Sequence, residues 1–319
     1  VKTNVRNILK KINNSSFHGI VSLDEKMSKH TTFKVGGAAD LYLKPTDETS
    51  LLQIATVLRE QDLVGSQGFP LFFLGGGANI VVSDKGIRGI VIDLTGLREY
   101  RVETGGIHTG SGMPVDLFAE KAAEAGLSGA EFLAGMPGSV GGAVWMNARC
   151  YGSSISDILC SVRYLDLSSI PTICEYQIEQ EDFGYKRSPF QKKNDYVILS
   201  ARFKLYSEND LTIYRRMEEY RADRRQKGHY RFPSAGSVFK NDHAFGAPTG
   251  RLLDTLGLRG KKVGDAAVSD FHANIIVNLG AATAMDIYTL TEMCRTTAKS
   301  ELGIDLEPEI RFIGDWSDT

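Results

Sequence analysis

Apolar positions along the chain follow two periods. Over residues 44–61, "KPTDETSLLQIATVLREQ", Leu51, Leu52, Ile54, Ala55 and Leu58 recur at helical spacing, which predicts a helix capped by Thr46 or Asp47. "MPVDLFAEKAAEAG" predicts a second helix, with Pro114 in its first turn and Gly126 as its stop. Short apolar runs predict strands at Leu71–Leu74, Ile80–Val82, 89–94, 162–167 and Tyr196–Lys204. The first seventeen residues, "VKTNVRNILKKINNSSF", mix Lys and Arg with isolated apolar positions, a pattern for a short surface helix and not for the apolar core of a signal peptide. Near Ser207 the character changes. "YSENDLTIYRRMEEYRADRRQ" reads as a charged helix and a hinge into a second unit, so the expected domains are 1–206 and 207–319. Strands and helices interleave irregularly, which favours an α+β fold over a doubly wound parallel sheet.

The stretch "LFFLGGGANIVVSD" sets Gly75, Gly76 and Gly77 between two apolar runs. Bare backbone there admits positive φ and close approach by another molecule, at an entropic cost on folding. A phosphate is the first candidate ligand. A Walker loop would need Lys followed by Ser or Thr, and a Rossmann turn would have to open a helix. Here Ile80, Val81 and Val82 follow, a β-branched run suited to a strand. Any phosphate would therefore meet turn N–H groups between strands. A second cluster, "GAEFLAGMPGSVGGAVWMNARCYG", holds six glycines without a period. Gly135, Gly138, Gly141 and Gly142 surround Pro137 and Ser139, with Asn147 close behind. A tight turn would explain any one of these glycines; two clusters together could wrap a long ligand with a pyrophosphate. Ser139 does not fit a hydrolase elbow, because Pro137 stands where that motif requires glycine.

Net charge is −2, so no overall basic field points to nucleic acid. No apolar run reaches the roughly 18 residues of a membrane span. The four cysteines, Cys150, Cys160, Cys174 and Cys294, show no zinc-ligand spacing and are expected as buried reduced thiols of a cytoplasmic protein. No metal site is expected, and a monomer is compatible with the sequence.

Three further stretches carry candidate chemistry. In "RFPSAGSVFKN", Ser237 precedes Lys240 and Asn241. A hydroxyl near an ammonium can donate a proton, bind an anion or cap a turn. "GLRGKKVGDAAVSDFHANIIVN" places Arg259, Lys261 and Lys262 among glycines, where they could serve a diphosphate or simply meet solvent. His272 and Asn274 follow, the histidine read as a structural hydrogen-bonder. "LEPEIRFIG" predicts a strand with Glu307, Glu309 and Arg311 on one face.

The blocks "HTTFKVGGAAD", "LGGGANIVVSD", "AGMPGSVGGAVWMN", "PSAGSVFKN", "HANIIVN" and "LEPEIRFIG" stand in the order seen in the UDP-N-acetylenolpyruvoylglucosamine reductase (MurB) family, and the chain resembles that family from about residue 30 to 314. The short spacing after Phe190 is similar to its type II form. The resemblance implies an FAD-binding domain of the vanillyl-alcohol-oxidase (PCMH) type with two subdomains, followed by a smaller α+β domain for a UDP-sugar. It implies non-covalent FAD, with NADPH as co-substrate. Gly75, Gly76, Gly77, Asn79, Ile80, Gly135, Pro137, Gly138, Ser139, Gly141, Gly142 and Asn147 would hold the cofactor.

By the same resemblance Ser237 would be the proton donor, eased by Lys240 or a water, and Glu309, a better match than Glu307, would stabilise the enol. Tyr185, Arg187, Lys240 and Asn241 would contact substrate. Two departures stand out. "GYKRSPF" puts Lys186 at the family's arginine position, with Arg187 beside it; strand alternation favours Lys186 for the role, although lysine lacks the bidentate fork. Arg149 and Cys150 stand where the family often has small residues. Another flavin oxidoreductase of this fold and a non-catalytic nucleotide-binding protein share the glycine clusters.

Overall fold

The computed structural model describes residues 2–13, 15–64, 70–192 and 195–317. Lys193 and Asn194, in the short stretch after Phe190, lie outside the described residues, as do Val1 and Asn14 beside the N-terminal helix. The chain folds into two compact units, neither contiguous in sequence. One comprises Val1–Leu23, Asp40–Gly76 and Gly89–Ala222; the other comprises Asp24–Ala39, Gly77–Arg88 and Asp223–Thr319.

The first unit has two hydrophobic cores. In one, helix α1 (Lys2–Asn13) and helix α2 (Glu48–Glu60) cover a four-stranded sheet ordered Gly19–Lys26, Ala38–Pro45, Ile87–Asp93, Leu71–Leu74. Asp47, not Thr46, caps α2, its carboxylate accepting from Ser50 N at 2.7 Å. Helix α1 does not merely lie on the surface: Val5, Ile8 and Ile12 are buried in this core. The other core lies under a five-stranded antiparallel sheet ordered Thr172–Gln177, Leu159–Asp166, Tyr196–Lys204, Gly106–Gly110, Tyr100–Glu103. Helices α3 (Val115–Glu124) and α4 (Val140–Met146) pack against it.

Tyr196–Lys204 serves both cores. Val197 and Leu199 face the first, while Ile198, Ala201 and Phe203 face the second. The alternation changes phase where pairing with Leu159–Asp166 shifts register between Arg163 and Tyr164, as an inserted bulge residue requires.

The second unit pairs Lys262–Val263, Ala266–Val268 and Ile276–Asn278 in an antiparallel sheet. Ile80–Val82 runs parallel to Arg311–Ile313. The charged helix α5 (Asp210–Gln226) begins in the first unit and ends in the second, with the division at Ala222 and Asp223. Helices α6 (Thr249–Thr255) and α7 (Ala284–Leu302) complete the second unit. Its core joins Phe33, Val35 and Val81 to Val238, Phe239, Leu253, Ile276, Ile287 and Leu290.

The predicted strand over Glu307 and Glu309 begins only at Arg311; Pro308 forms an isolated bridge with Phe239 and breaks the regular run before it. All four cysteines are free thiols, but only Cys294 is buried, which corrects the expectation for the other three. No helix among the described residues is long and apolar enough to cross a membrane.

Candidate active site

In the first unit the two glycine clusters meet each other. A methyl group on Gly75 would lie 2.5 Å from Ser139 Oγ, and one on Gly76 would lie 2.6 Å from the main chain of Gly138. Ser139 is buried and caps α4. Its Oγ accepts from Gly76 N at 3.2 Å and from Gly142 N at 3.3 Å, so one hydroxyl joins both loops. The short helix after Ser139 has no counterpart among the elements the sequence predicts. Gly138 has φ 113° and Gly135 has φ 72°, both in the region that favours glycine. Gly135 N donates to Asp116 Oδ1 at 2.7 Å, and Gly141 N donates to Ser111 O at 2.8 Å. Pro137 and Gly142 are exposed.

Asn147 ends α4 in the left-handed region and is buried. Its Nδ2 donates to Gly184 O at 2.9 Å, and its Oδ1 accepts from Ser156 N at 3.2 Å. Cys150 Sγ donates to Phe132 O at 2.8 Å, so this thiol points into the fold. The cradle has features that fit an elongated cofactor. A methyl on Gly142 would meet only Ser139 Oγ, at 3.5 Å, and beside Gly141 the buried Ser111 Oγ has no hydrogen-bond partner among the described residues.

Tyr185, Lys186 and Arg187 stand in a tight turn closed by reciprocal main-chain bonds between Gly184 and Arg187. Lys186 has φ 53°. The strand-alternation argument for Lys186 therefore does not apply: this is a turn tip, where neighbouring side chains diverge for a different reason. Arg187 folds back, its Nη2 donating to Glu181 O at 3.3 Å. The Lys186 ammonium stands 6.0 Å from the Tyr185 ring centroid.

In the second unit the motif segments lie side by side. Glu309 N donates to Val238 O at 2.7 Å, and Lys240 N donates to Glu307 O at 3.0 Å. On the other flank Ser237 bridges Ile275, and Val238 N donates to Asn274 O at 2.8 Å. The Asn274 side chain clamps Phe239 twice: Oδ1 accepts from its N–H at 2.9 Å, and Nδ2 donates to its carbonyl at 2.8 Å. Asn79 Nδ2 donates to Glu309 O at 2.9 Å, and Asn79 O accepts from Arg311 N at 3.0 Å. Glu309 is thus fixed through both its N–H and its carbonyl. Ile80 is buried in the strand beside Arg311. Gly77 has φ 63°, and a methyl there would lie 2.0 Å from His30 O.

Of the paired carboxylates, Glu307 is the one bound to Lys240, with Nζ at 2.5 Å from Oε1. The Lys240 ammonium is thereby held at Glu307. Asn241 Oδ1 accepts from Thr249 N at 2.9 Å at the start of α6. Arg259 makes a two-pronged pair with Asp254, both bonds 2.7 Å, so this part of the basic loop is tied to the fold. His272 Nδ1 accepts from Asn274 N at 3.2 Å, and burial pushes its pKa down, in keeping with a structural histidine.

Sequence reasoning assigned no part to Asp116, Ser111 or Asp84. Asp116 and Ser111 show no spacing signal, because what they hold are main-chain N–H groups of a loop distant in sequence. Asp84 ends a recognised block, yet its carboxylate serves α7, accepting from Ala284 N at 2.9 Å and Met285 N at 3.0 Å.

Two family descriptions match the chain: "FAD binding domain" over residues 39–169, and "UDP-N-acetylenolpyruvoylglucosamine reductase, C-terminal domain" over residues 227–313. A UDP-N-acetylenolpyruvoylglucosamine reductase of Treponema denticola is 40% identical, covering 93% of this chain and 95% of its own. That of Borreliella burgdorferi is 37% identical over 97% of this chain and 98% of its own. The crystal structure of the Thermus caldophilus enzyme matches with a TM-score of 0.74 at 33% identity, covering 93% of this chain and 99% of that one. With this likeness running through both units, the chain belongs to the UDP-N-acetylenolpyruvoylglucosamine reductase family.

Proposed function

We infer that this protein is a UDP-N-acetylmuramate dehydrogenase, reducing the enolpyruvyl ether of a UDP-sugar with NADPH in peptidoglycan precursor synthesis. The family membership supports the activity and the FAD. The observation that carries the assignment of roles is the Glu309 N to Val238 O bond of 2.7 Å, which lays the two motifs expected to hold proton donor and carboxylate directly beside each other. Bound FAD supplies hydride transfer between NADPH and the enolpyruvyl double bond. The chain's own task is to bind, orient and protonate.

Ser237 delivers the proton to the carbon next to the one that gains hydride. Glu309 faces the developing enol, its main chain fixed at both ends by Val238 and Asn79. Lys186, at the position that the family resemblance gives to an arginine, neutralises the substrate carboxylate from its turn tip. Tyr185, Arg187, Lys240 and Asn241 border the sugar nucleotide. Residues 75–80, 135–142 and Asn147 line the cofactor. We further propose that ligands divide near residue 206, FAD before it and UDP-sugar after it; that the chain is of the type II form; and that it works in the cytoplasm as a monomer.

A stopped-flow record of flavin absorbance tests this reading. NADPH should bleach the yellow protein, and the enolpyruvyl substrate should restore its colour. Ser237→Ala should leave bleaching intact and slow the restoration by about 10²–10⁴-fold. Equal damage to both phases would remove Ser237 from the proton-transfer step, and a protein that takes up no FAD would overturn the reading altogether.

A further inference from the structure

The turn at residues 135–142 is shaped by a carboxylate outside it. Gly135 adopts φ 72°, and its N–H donates to Asp116 Oδ1 at 2.7 Å. The same oxygen accepts from Arg221 Nη2 at 2.7 Å, and that nitrogen also reaches Glu120 Oε1 at 2.6 Å. Asp116 lies in the first turn of α3, where the N-cap Pro114 offers no side-chain bond. A carboxylate there would ordinarily serve its own helix N-terminus; here it crosses to the glycine turn.

Main-chain bonds continue the contact: Val115 N donates to Gly138 O at 3.1 Å, and Val140 N to Met113 O at 2.8 Å. Residues 113–116 thus form a template along which residues 135–140 are laid. The side-chain part of that template is held by Arg221 of α5.

We propose that Asp116 and Arg221 are positioning residues for the cofactor: a clamp that pre-sets the Gly135 turn before FAD arrives. A glycine-rich segment loses more freedom on ordering than any other. Whatever part of that order is already present in the apoprotein is not charged against ligand binding. A charge-assisted bond to a carboxylate is stronger than a neutral one, and the bond from Arg221 keeps the Asp116 side chain aimed. The inference rests on the reading that this turn contacts FAD.

The test is FAD titration of the apoprotein by flavin fluorescence, alongside its thermal midpoint. Asp116→Ala and Arg221→Met should each raise the FAD Kd about tenfold or more. Arg221→Lys, which keeps the charge without the fork, should recover part of the loss. Turnover at saturating FAD should stay near wild type. Glu120→Gln, which leaves the Asp116 bonds in place, should bind FAD within about twofold of wild type. A lowered midpoint with unchanged Kd in Asp116→Ala and Arg221→Met would overturn the clamp and leave a merely structural pair. If Asp116→Ala does not fold, Asp116→Asn and Arg221→Met carry the same comparison. Gly142→Ala separates the two levels: weakened FAD binding there with none in the clamp variants sinks only the clamp, while no change in any variant sinks the turn's contact with FAD as well.

Discussion

A methyl group on Gly76 would press on the main chain of Gly138 at 2.6 Å, whereas one on Gly142 would find only Ser139 Oγ, at ordinary contact distance of 3.5 Å. Gly76 is therefore required by the fold itself. Gly142 is exposed, lies inside α4 and is not among the positive-φ residues, so nothing among the described residues demands glycine there. Alanine is the better helix former by about 0.8–1 kcal/mol. A glycine at such a position needs another reason, and the close approach by FAD proposed above would supply one. Gly142→Ala should stabilise the apoprotein by up to about 1 kcal/mol while weakening FAD binding. Gly76→Ala should destabilise it by about 1–3 kcal/mol through overpacking. Chemical denaturation of both apoproteins, with FAD titrations beside it, checks the pair; a destabilised Gly142→Ala would remove the argument from spare room. This distinction was not legible in the sequence, where all of these glycines look alike. It depends on what each one faces after folding.

At the scale of elements, legibility followed how continuous the apolar signal is. Leu71–Leu74 and Ile80–Val82 are uninterrupted apolar or β-branched runs, Tyr196–Lys204 opens on one at Tyr196–Leu199, and the strands form where expected. The edge strand Thr172–Gln177 is largely exposed and shows no buried face to read. Helix α4 is only seven residues long with two glycines, too short for a period. Helix α7 has 19 residues, but its buried stripe includes Ala284, Thr291, Cys294 and Ala298, so small and polar side chains blur it. What α7 lacks in pattern it gains at its N-terminus. Thr283 and Asp286 form a capping box, and Asp84 accepts from Ala284 N and Met285 N. Asp84→Ala should cost about 0.5–2 kcal/mol in urea unfolding, and a change within error would show that the box alone suffices. A second element-scale effect concerns the end of α5. His229 is pushed down to about 4, first by burial and then by the charges of Arg224 and His272. The unfolded imidazole titrates near 6.5, so between about pH 6.5 and pH 4 the unfolded chain binds a proton that the folded one refuses. Stability should fall as pH drops through that window. His229→Gln should flatten the fall in the urea midpoint between pH 7 and pH 5; an unchanged slope would assign the effect elsewhere.

For the whole molecule, the order of motifs was legible from resemblance, while the interleaving of the two compact units was not, because no local period announces that a chain will return. The second unit shows what that return accomplishes. Asn278 Nδ2 donates to Phe33 O at 3.0 Å, Arg311–Ile313 finds its parallel neighbour in Ile80–Val82, and Phe33, Val35 and Val81 enter the core. Asn79 holds Glu309, and Asp84 caps α7. All of these come from Asp24–Ala39 or Gly77–Arg88. The ligand division proposed near residue 206 is thus different from the folding division. A fragment of residues 207–319 would lose part of its core, the only hydrogen-bonded strand beside Arg311–Ile313 among the described residues, and a helix cap together. Isolated domains of this size bury a smaller share of their surface than larger ones do and have little stability to spare. The fragment should show no cooperative urea transition by circular dichroism, whereas the full chain should unfold with one or more sigmoidal steps. A sigmoidal transition in the fragment would mean that the segments drawn from the first third of the chain decorate a self-sufficient fold. Glu309 would then owe its placement to Val238 alone, and Asn79 could be replaced without loss of activity.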